Sequence, residues 1–441
     1  MSTNPERIGE KARQEPGLVF TTLYHHVSDV GNLRACYDAL PRDRAVGVDG
    51  VSKEEYGNNL DSNLQSLAER LRRMGYCPEP KRRVYIPKPG SEKGRPLGIS
   101  CFEDKIVELA VKRVLEPIYE AVFEDSSSGY RPERNQHTCL DDLGRTVQQK
   151  RVSHIVEADI KSFFDKVNHD WMVKFLRHRI GDPRMIRLIG RMLKGGILEE
   201  GLFRATEAGT PQGSILSPLL SNIYLHYVLD LWFSRKIGKQ CQGEAYYFRF
   251  ADDFLACFPF KGEALRFRAQ LEARLDGFGL ALAADKTQTL EFGRFARENA
   301  YKRGGKPTEF TFLGFTHYCG TTREGYYKVK RRTSRKKLGQ SLQRFTTWAR
   351  RARSVLRKGE MLRLARARVA GHLSYYAITD NAALCREYLR RTERILFKWL
   401  NRKSQRPAYT WSTFVQALAQ VGWPTSRIRI DLNPCRRAEA R

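Results

Sequence analysis

The spacing of apolar residues changes several times between residues 80 and 315. Apolar and polar residues alternate on both sides of a Pro-, Gly- and Ser-containing turn in residues 82–99, which predicts a hairpin. Apolar residues at helical spacing follow from Ile106 to Ile118, and a short strand is predicted from Ile155 to Ile160. Because strand and helix patterns alternate irregularly here, we predict an α+β fold for this part of the chain.

The segments on either side have helical patterns only. Within residues 17–74, Ser52 and Glu55 form a capping-box pattern ahead of apolar residues at helical spacing. From about residue 333 only helical patterns remain, and one apolar stripe runs from Leu338 to Leu356 among Lys and Arg residues. The composition changes near residue 325. We therefore predict an N-terminal helical extension in residues 1–75, an α+β region in residues 76–325 and a basic helical region in residues 326–441.

The longest apolar stretch, residues 214–233, is interrupted by polar residues and a proline. It contains Pro218, Asn222, His226 and Asp230, so we expect a buried helix rather than a membrane span. The nine Cys residues include no C-x-x-C pair, which argues against a structural zinc site or a disulfide framework. The first residues are polar, unlike a signal peptide, and we expect a cytoplasmic protein.

The net charge of +29 is concentrated near the C-terminus. Residues 331–441 contain 27 Lys and Arg residues against 6 Asp and Glu residues, with four Trp residues among them. A solvated helical face is the simple explanation of such a charge run. An excess of one sign on this scale is larger than solubility requires, and it predicts a polyanionic partner such as nucleic acid.

Two adjacent carboxylates interrupt the aromatic and apolar stretch "YYFRFADDFLACF", residues 246–258. Asp252 and Asp253 could form an ordinary turn between two strands. Asp159 ends the predicted strand at residues 155–160, where it could cap the helix that follows. If the two strands are neighbours in one sheet, all three carboxylates lie at one edge and repel each other unless they bind cations.

Carboxylate oxygens favour Mg²⁺, with Mn²⁺ as a possible substitute. Two such ions about 3.5–4 Å apart can catalyse phosphoryl transfer by holding the attacking and the leaving oxygen. Lys88 and Arg95 on the predicted hairpin could supply positive charge for phosphates, and Lys286 is a third candidate. All three could equally be ordinary surface residues.

Seven blocks of sequence occur in the order found in reverse transcriptases. They are "IPKPGSEKGRPLGI", "SSSGYRPERN", "EADIKSFFDKVNH", "GTPQGSILSPLLSNIYL", "YYFRFADD", "LALAADKT" and "FTFLGF". The chain most resembles the group II intron-encoded reverse transcriptase/maturases, and the resemblance covers nearly its whole length. It implies a right-hand polymerase fold with fingers and palm, an N-terminal extension and a helical thumb and maturase region.

The resemblance also implies site residues. Asp159, Asp252 and Asp253 would bind two Mg²⁺ ions with help from the carbonyl of Ile160, and Lys286 would lie near the leaving group. Lys88 and Arg95 would hold the phosphates of the incoming nucleotide, and Gln212 would contact that nucleotide or the template. Phe164 would occupy the position that excludes a 2′-hydroxyl, although Phe164 could instead be a core residue and Gln212 could merely brace its turn.

The sequence departs from the family pattern in two places. The commoner tetrad is Y-A-D-D, and here Phe250 precedes Ala251 and the Asp pair. Loss of one phenol oxygen keeps the ring and both carboxylates, so we expect activity to survive. Many relatives carry a C-terminal Cys/His-rich nuclease module. This chain has a lone Cys435 near its end and no His after His372, so we expect that DNA-cleaving activity to be absent.

The expected function is RNA-directed DNA synthesis from a primer with dNTPs, combined with assistance to splicing and mobility of a group II intron RNA. Two other functions remain open: a free-standing reverse transcriptase in defence or repair, and an RNA-binding splicing cofactor whose polymerase is dispensable. For RNA binding, the sequence indicates one basic cluster, formed by Arg331, Arg332, Arg335, Lys336 and Lys337.

Overall fold

The computed structural model describes residues 4–87, 94–199, 201–205, 207–402 and 407–435. Lys88, one of the predicted phosphate-binding residues, lies outside these ranges. The chain divides into two compact units: residues 1–139, 156–256 and 262–289 form the first, and residues 140–155, 257–261 and 290–441 form the second. The three-part division inferred from the sequence stays a prediction.

Helices account for most of the regular structure in the described residues. In chain order they are Pro5–Gln14 (α1), Tyr24–Val27 (α2), Val30–Ala39 (α3), Lys53–Gly57 (α4), Leu60–Arg72 (α5), Phe102–Glu120 (α6), Gln136–Gln149 (α7), Phe163–Lys166 (α8), His169–Arg177 (α9), Pro183–Lys194 (α10), Ser217–Leu225 (α11), Gly238–Gln240 (α12), Lys261–Asp276 (α13), Ala296–Lys302 (α14), Arg335–Val355 (α15), Lys358–Tyr376 (α16), Ala382–Leu400 (α17) and Trp411–Gln420 (α18).

The strands form three sheets. They are Lys81–Ile86 (β1), Arg95–Ile99 (β2), His154–Asp159 (β3), Ile197–Glu199 (β4), Leu202–Arg204 (β5), Tyr246–Phe250 (β6), Asp253–Phe258 (β7), Gln288–Glu291 (β8), Glu309–Phe312 (β9), Phe315–Thr321 (β10) and Tyr327–Thr333 (β11). The sheet orders are β2-β1-β4-β5, β6-β7-β3-β8 and β11-β10-β9.

The predicted hairpin at residues 82–99 is confirmed. Strands β1 and β2 pair in antiparallel register, with Val84 opposite Leu97 and Ile86 opposite Arg95. In the sheet β6-β7-β3-β8, most of which belongs to the first unit, β7 lies directly beside β3. The strand that begins at Asp253 is therefore the neighbour of the strand that ends at Asp159, as a shared carboxylate site requires.

The predicted capping box is also confirmed, but it caps a shorter helix than expected. The Ser52 hydroxyl accepts a hydrogen bond from the Glu55 amide at 3.2 Å, and the Glu55 carboxylate accepts one from the Ser52 amide at 2.7 Å. These residues cap α4 alone. Asn59 has a non-helical backbone conformation (φ −126°, ψ 43°), so the apolar residues from Leu60 onwards form the separate helix α5.

Helices α15 to α18 enclose an apolar core of the second unit. Within the described residues after 333, every named element is a helix, which confirms the prediction for this segment. Leu338, Leu342, Phe345, Ala349 and Ala352 on α15 form the predicted apolar stripe, and all five are buried. An amphipathic helix gains most of its stability from packing such a face, so α15 can expose its Lys and Arg residues.

Two of the quoted segments are not single regular elements. The "FTFLGF" block, residues 310–315, contains the end of β9, a turn at Leu313 and Gly314 with positive φ angles of 49° and 83°, and the first residue of β10. The apolar stretch 214–233 does not continue as one α-helix: after α11, residues His226–Asp230 and Phe233–Ile237 form π-helical turns. Among the described residues, no helix combines the length and the apolar character needed to cross a membrane.

Candidate active site

The Asp252–Asp253 pair stands at a tight turn between β6 and β7. Ala251 begins the turn with a left-handed backbone, φ +60°. A non-glycine residue rarely adopts this conformation, which costs roughly 1–2 kcal/mol. Asp252 is half-buried and Asp253 is exposed as the first residue of β7. The surrounding structure therefore has to hold this turn in place.

Asp159 ends β3 beside Lys286. The Asp159 carbonyl accepts a hydrogen bond from the Ala283 amide at 2.8 Å, which brings the following turn against the end of the strand. From this turn the Lys286 ammonium donates to the Asp159 carboxylate as an ion pair. That hydrogen bond raises the pKa of Lys286. The side chain of Asp159 is almost fully covered, whereas that of Lys286 is 57% exposed and open to an incoming molecule.

The Asp252 carboxyl is influenced by the charged groups around it. Burial raises the pKa of the Asp252 carboxyl, and the negative charge of Asp159 adds to the effect, while Lys286 and Arg95 act in the opposite direction. The structure thus brings Asp159, Asp252, Lys286 and Arg95 into one electrostatic neighbourhood. A carboxylate held in a partly buried site beside a second carboxylate is primed to bind a cation.

The carboxylate oxygens of Asp159 and Asp252 are of the type that binds divalent cations such as Mg²⁺. Within the described ranges, no three His, Cys, Asp or Glu side chains are close enough together to hold one metal ion. A site in which all three carboxylates bind one ion, as expected from the sequence, is therefore not seen in these ranges, although the charges of Asp159 and Asp253 both raise the pKa of Lys286. Mg²⁺ is commonly bound through one or two carboxylates plus substrate phosphates and water, so a site for it does not require three protein carboxylates. The ligand roles of Asp159, Asp252, Asp253 and Ile160 all stay predictions.

The loop before α11 fixes Gln212 and Phe164. The Gln212 carbonyl accepts a hydrogen bond from the Gly98 amide of β2 at 2.7 Å, and the Phe164 carbonyl accepts one from the Thr210 amide at 2.7 Å. Gly209 has φ +94°, and a Cβ on it would come within 2.9 Å of the Phe164 carbonyl oxygen. Phe163 is 2% exposed, whereas Phe164 is only partly buried. Phe164 is thus the member of the pair that remains accessible.

Sequence reasoning missed Glu108, whose carboxylate connects three segments of the first unit. It accepts hydrogen bonds from the Lys81 ammonium at 2.8 Å, the Ser100 hydroxyl at 2.9 Å and the Ile215 amide at 2.8 Å. Lys81 and Glu108 are both buried. Glu108 thereby joins β1, the end of β2 and the loop that carries Gln212. The sequence contained one sign of this role, because Glu108 is an acidic residue among the apolar residues that α6 buries.

Tyr130 was also missed. It has φ +58° and is 49% exposed. Partial burial raises the pKa of its phenol, and the charge of Asp252 adds to that effect while Arg95 opposes it. Tyr130 therefore belongs to the same neighbourhood as Asp252 and Arg95. The only signal in the sequence was its place in the "SSSGYRPERN" block.

The predicted basic cluster is only partly on the surface of the second unit. Arg335, Lys336 and Lys337 are exposed in the first turn of α15. The Arg332 guanidinium donates to both carboxylate oxygens of Glu309, at 2.8 and 2.7 Å. Arg331 contradicts its predicted role as an RNA-binding surface residue, because it is 2% exposed.

The burial of Arg331 follows from strand alternation. Val329, Arg331 and Thr333 are the buried residues of β11, and the residues between them are more exposed. Gly144 leaves the space that the guanidinium fills, since a Cβ at Gly144 would overlap the Arg331 side chain. Burial lowers the pKa of Arg331 to about 10.

A basic groove lies between α15 and α17 in the second unit. Its volume is about 570 Å³, and its polar lining includes Gln343, Arg391, Arg394 and Lys398 beside Trp399. The guanidinium carbons of Arg353 and Arg402 lie 4.9 and 5.7 Å from the centre of the Trp399 ring. Positive charge combined with an aromatic platform is typical of surfaces that bind single-stranded nucleic acid.

The family model of reverse transcriptases (RNA-dependent DNA polymerases) matches residues 86–317. The group II intron-encoded protein LtrA of Lactococcus lactis subsp. cremoris is 39% identical over 230 residues, which cover 51% of this chain and 38% of LtrA. Protein YkfC of Escherichia coli K12 is 37% identical over 276 residues, covering 55% of this chain and 71% of YkfC.

A third relative is an uncharacterised 91 kDa protein in the cob intron of Schizosaccharomyces pombe. It is 42% identical over 190 residues, covering 43% of this chain and 23% of that protein.

The match with LtrA spans well under half of the length of LtrA. The matched region 86–317 contains the Asp159, Asp252 and Lys286 neighbourhood described above, and the chain belongs to the reverse transcriptase family, in its group II intron-encoded branch.

Proposed function

We propose that this protein is an RNA-directed DNA polymerase, which extends a primer with dNTPs on an RNA template. One observation carries the proposal: Asp159 ends β3, and Asp252 lies in the turn that leads into the neighbouring strand β7. Lys286 pairs with Asp159, and the charges of Lys286 and Arg95 both lower the pKa of Asp252. Nucleotidyl transfer requires this combination, because negative charge develops on both the attacking and the leaving oxygen.

In this proposal each residue of the site has one role. Asp159 and Asp252 hold divalent cations, with Asp253 and the Ile160 carbonyl as further ligands. Such cations, when bound, lower the pKa of a primer 3′-hydroxyl and neutralise the charge of the leaving pyrophosphate. Arg95, together with Lys88, holds the phosphates of the nucleotide. Lys286 is exposed enough to move from Asp159 towards the leaving group.

The remaining roles concern selection of the nucleotide. Gln212 contacts the nucleotide or template from the loop that is tied to β2 through Gly98. Phe164 limits the space available to the 2′ position of the sugar. The proposed right-hand arrangement assigns fingers and palm to the α+β region and the thumb to the helices from α15 onwards.

The experiment is primer extension with Mg²⁺ on an annealed RNA template. We expect Asp252→Ala and Asp159→Asn to lower kcat by roughly a hundredfold or more, because each removes a proposed cation ligand. Glu69→Gln, which removes an exposed carboxylate from α5, is the control and keeps its activity. A folded Asp252→Ala protein with near-normal extension would refute the assignment.

A second function, binding of group II intron RNA, is favoured by the basic groove of the second unit. Arg391, Arg394 and Lys398 lie there beside Trp399. The names of several relatives refer to introns, and one is a nuclear intron maturase of Arabidopsis thaliana, 30% identical over 95 residues. We propose that this surface binds the RNA while the first unit synthesises DNA.

A further inference from the structure

Arg249 occupies a buried position directly behind the Asp252 turn. It is fully buried on β6, and its partner Asp230 is 1% exposed. The guanidinium donates to the two carboxylate oxygens of Asp230 at 2.7 and 2.5 Å. Asp230 is the last residue of the π-helical turn His226–Asp230, a rare local structure that occurs frequently at functional sites.

The other guanidinium hydrogens reach the turn and its surroundings. Nη1 donates to the Ala251 carbonyl oxygen at 3.1 Å and to the Asn222 side-chain oxygen at 3.0 Å. Nη2 donates to the Ser127 hydroxyl at 2.7 Å. With the two bonds to Asp230, these contacts match the five N–H groups that an arginine possesses. The bond to Ala251 is the one that holds the left-handed residue immediately before Asp252.

Gly129 holds the same turn from the opposite side. A Cβ built on Gly129 would overlap the Ala251 amide nitrogen and would lie 3.0 Å from the Phe250 carbonyl carbon. Asn222 connects the two sides, since its amide donates to the Gly129 carbonyl at 2.7 Å while its oxygen accepts from Arg249. The Arg249 backbone is also paired with the chain before Gly129: the Ser128 amide donates to its carbonyl at 2.9 Å.

We propose that Arg249, with Asp230 and Asn222, is a positioning residue that fixes the Ala251 turn and thereby aims the Asp252 carboxylate. The proposal rests on the catalytic role proposed for Asp252. A φ angle of +60° is unfavourable for alanine, so Ala251 keeps this conformation only because neighbouring groups hold it there. Arg249 holds its carbonyl, and Gly129 fits closely against its amide.

Lysine cannot replace this arginine. An ammonium group could still pair with Asp230, but it cannot reach Ala251, Asn222 and Ser127 at once, because it lacks the planar fork of five donors. Arg249→Lys should therefore preserve the charge and release the turn. Gly129→Ala perturbs the turn by a different route, through steric overlap with the Ala251 amide.

The test compares both variants in primer extension. We expect kcat to fall by roughly tenfold to a hundredfold in each, because small misplacements of a reacting group cost about that much. The dissociation constant for the primer–template should stay within about threefold. Hydrogen exchange of the amides of residues 250–253 should become faster in both, and this readout does not depend on activity.

Arg191→Lys is the matched control, because the Arg191 guanidinium also donates to two backbone carbonyls, those of Met74 and Tyr76 at 2.6 and 2.8 Å. Asp252→Ala serves as the reference for complete loss. If Arg249→Lys does not fold, Gly129→Ala decides the question alone.

Two results would overturn the proposal. One is an unchanged kcat in folded Arg249→Lys and Gly129→Ala while Asp252→Ala is inactive. The other is an equal loss in Arg191→Lys at equal loss of thermal stability, which would reduce the effect to general destabilisation. Activity retained by Asp252→Ala would instead refute the proposed function itself, so the two failures are distinguishable.

Discussion

Phe163 and Phe164 are adjacent in the chain and differ in exposure. Phe163 is buried, and its ring packs against Phe164 and Tyr224 with centroid distances of 5.4 and 6.2 Å. Phe164 is partly exposed, and its carbonyl is held by the Thr210 amide at 2.7 Å. Phe164 therefore keeps an accessible ring, as its proposed place beside the nucleotide sugar requires.

We predict that Phe164→Val raises ribonucleotide incorporation. The smaller side chain removes the clash that would exclude a 2′-hydroxyl, so the ratio of kcat/KM for a dNTP over its rNTP should fall by about tenfold to a hundredfold. Phe163→Val is the control: it should lower the melting temperature without changing that ratio. An unchanged ratio in Phe164→Val, or an equal change in Phe163→Val, would place sugar selection elsewhere.

Asp104 gives the first unit a dependence of stability on pH. Burial raises the pKa of its carboxyl to about 7, and Glu108 adds to the effect while the hydrogen bond from Tyr76 opposes it. In the unfolded chain an Asp titrates near pH 4. Between about pH 4 and pH 7 this carboxyl therefore binds more protons in the native state than in the unfolded state, so its contribution to the free energy of unfolding falls as the pH rises through this window.

We predict that Asp104→Asn weakens this dependence. The variant cannot lose a proton, so the decrease in the free energy of unfolding between pH 4 and pH 7.5 should become smaller by on the order of 3 kcal/mol. Urea unfolding at several pH values measures it. The exposed Asp43→Asn serves as the control and should keep the slope of the parent protein. An identical slope in Asp104→Asn would show that Asp104 does not titrate in this window.

Individual residues were predictable to different degrees. Asp159 and Asp252 stood out in the sequence because a charged residue at the end of an apolar strand has no packing function. Arg331 could not be placed, since its side of β11 depends on strand register and on the space left by Gly144. Arg249 had no signal at all: apart from Ala251, its side-chain partners lie 19, 27 and 122 positions away in the sequence.

Most elements followed from periodicity. The β1–β2 hairpin and the apolar stripe of α15 were predictable from the spacing of their apolar residues. The β6–β7 hairpin was predictable from two aromatic and apolar runs around the Asp pair, and it is buried on both faces. The break between α4 and α5 was not predictable. An Asn residue can occur within a helix, and the sequence does not show that Asn59 has a non-helical backbone here. The π-helical turn at His226–Asp230 is likewise invisible to a pattern with 3.6 residues per turn.

At the scale of the whole molecule, the positive charge is distributed unevenly along the chain. Residues 331–441 belong to the second unit, and the carboxylates of the active site belong to the first. The sequence predicted this asymmetry, because charge can be counted without a structure. The extent of the two units could not be predicted, since the second takes in residues 140–155 and 257–261 from within the first 290 positions.

We predict that RNA binding and DNA synthesis can be lost separately. Replacing Arg335, Lys336 and Lys337 with Gln should weaken RNA binding and reduce the slope of log affinity against log salt by up to about 2, because fewer counterions are released. Replacing the exposed Arg7, Lys11 and Arg13 of α1 removes the same charge and is the control. Asp252→Ala should bind RNA normally. An unchanged slope in the α15 variant would exclude this patch.

The closed network around Ala251 also sets a limit for protein engineering. A designer who transplants the thirteen residues 246–258 onto another sheet would move Arg249, Asp252 and Asp253. Asp230, Asn222 and Gly129 would stay behind. The transplanted arginine would keep the Ala251 carbonyl but lose Asp230, Asn222 and Ser127 as acceptors, and we expect the left-handed turn to relax. The smallest unit that could be transplanted with its turn intact therefore consists of three separate stretches of the chain. The contiguous motif in the sequence is only one of them.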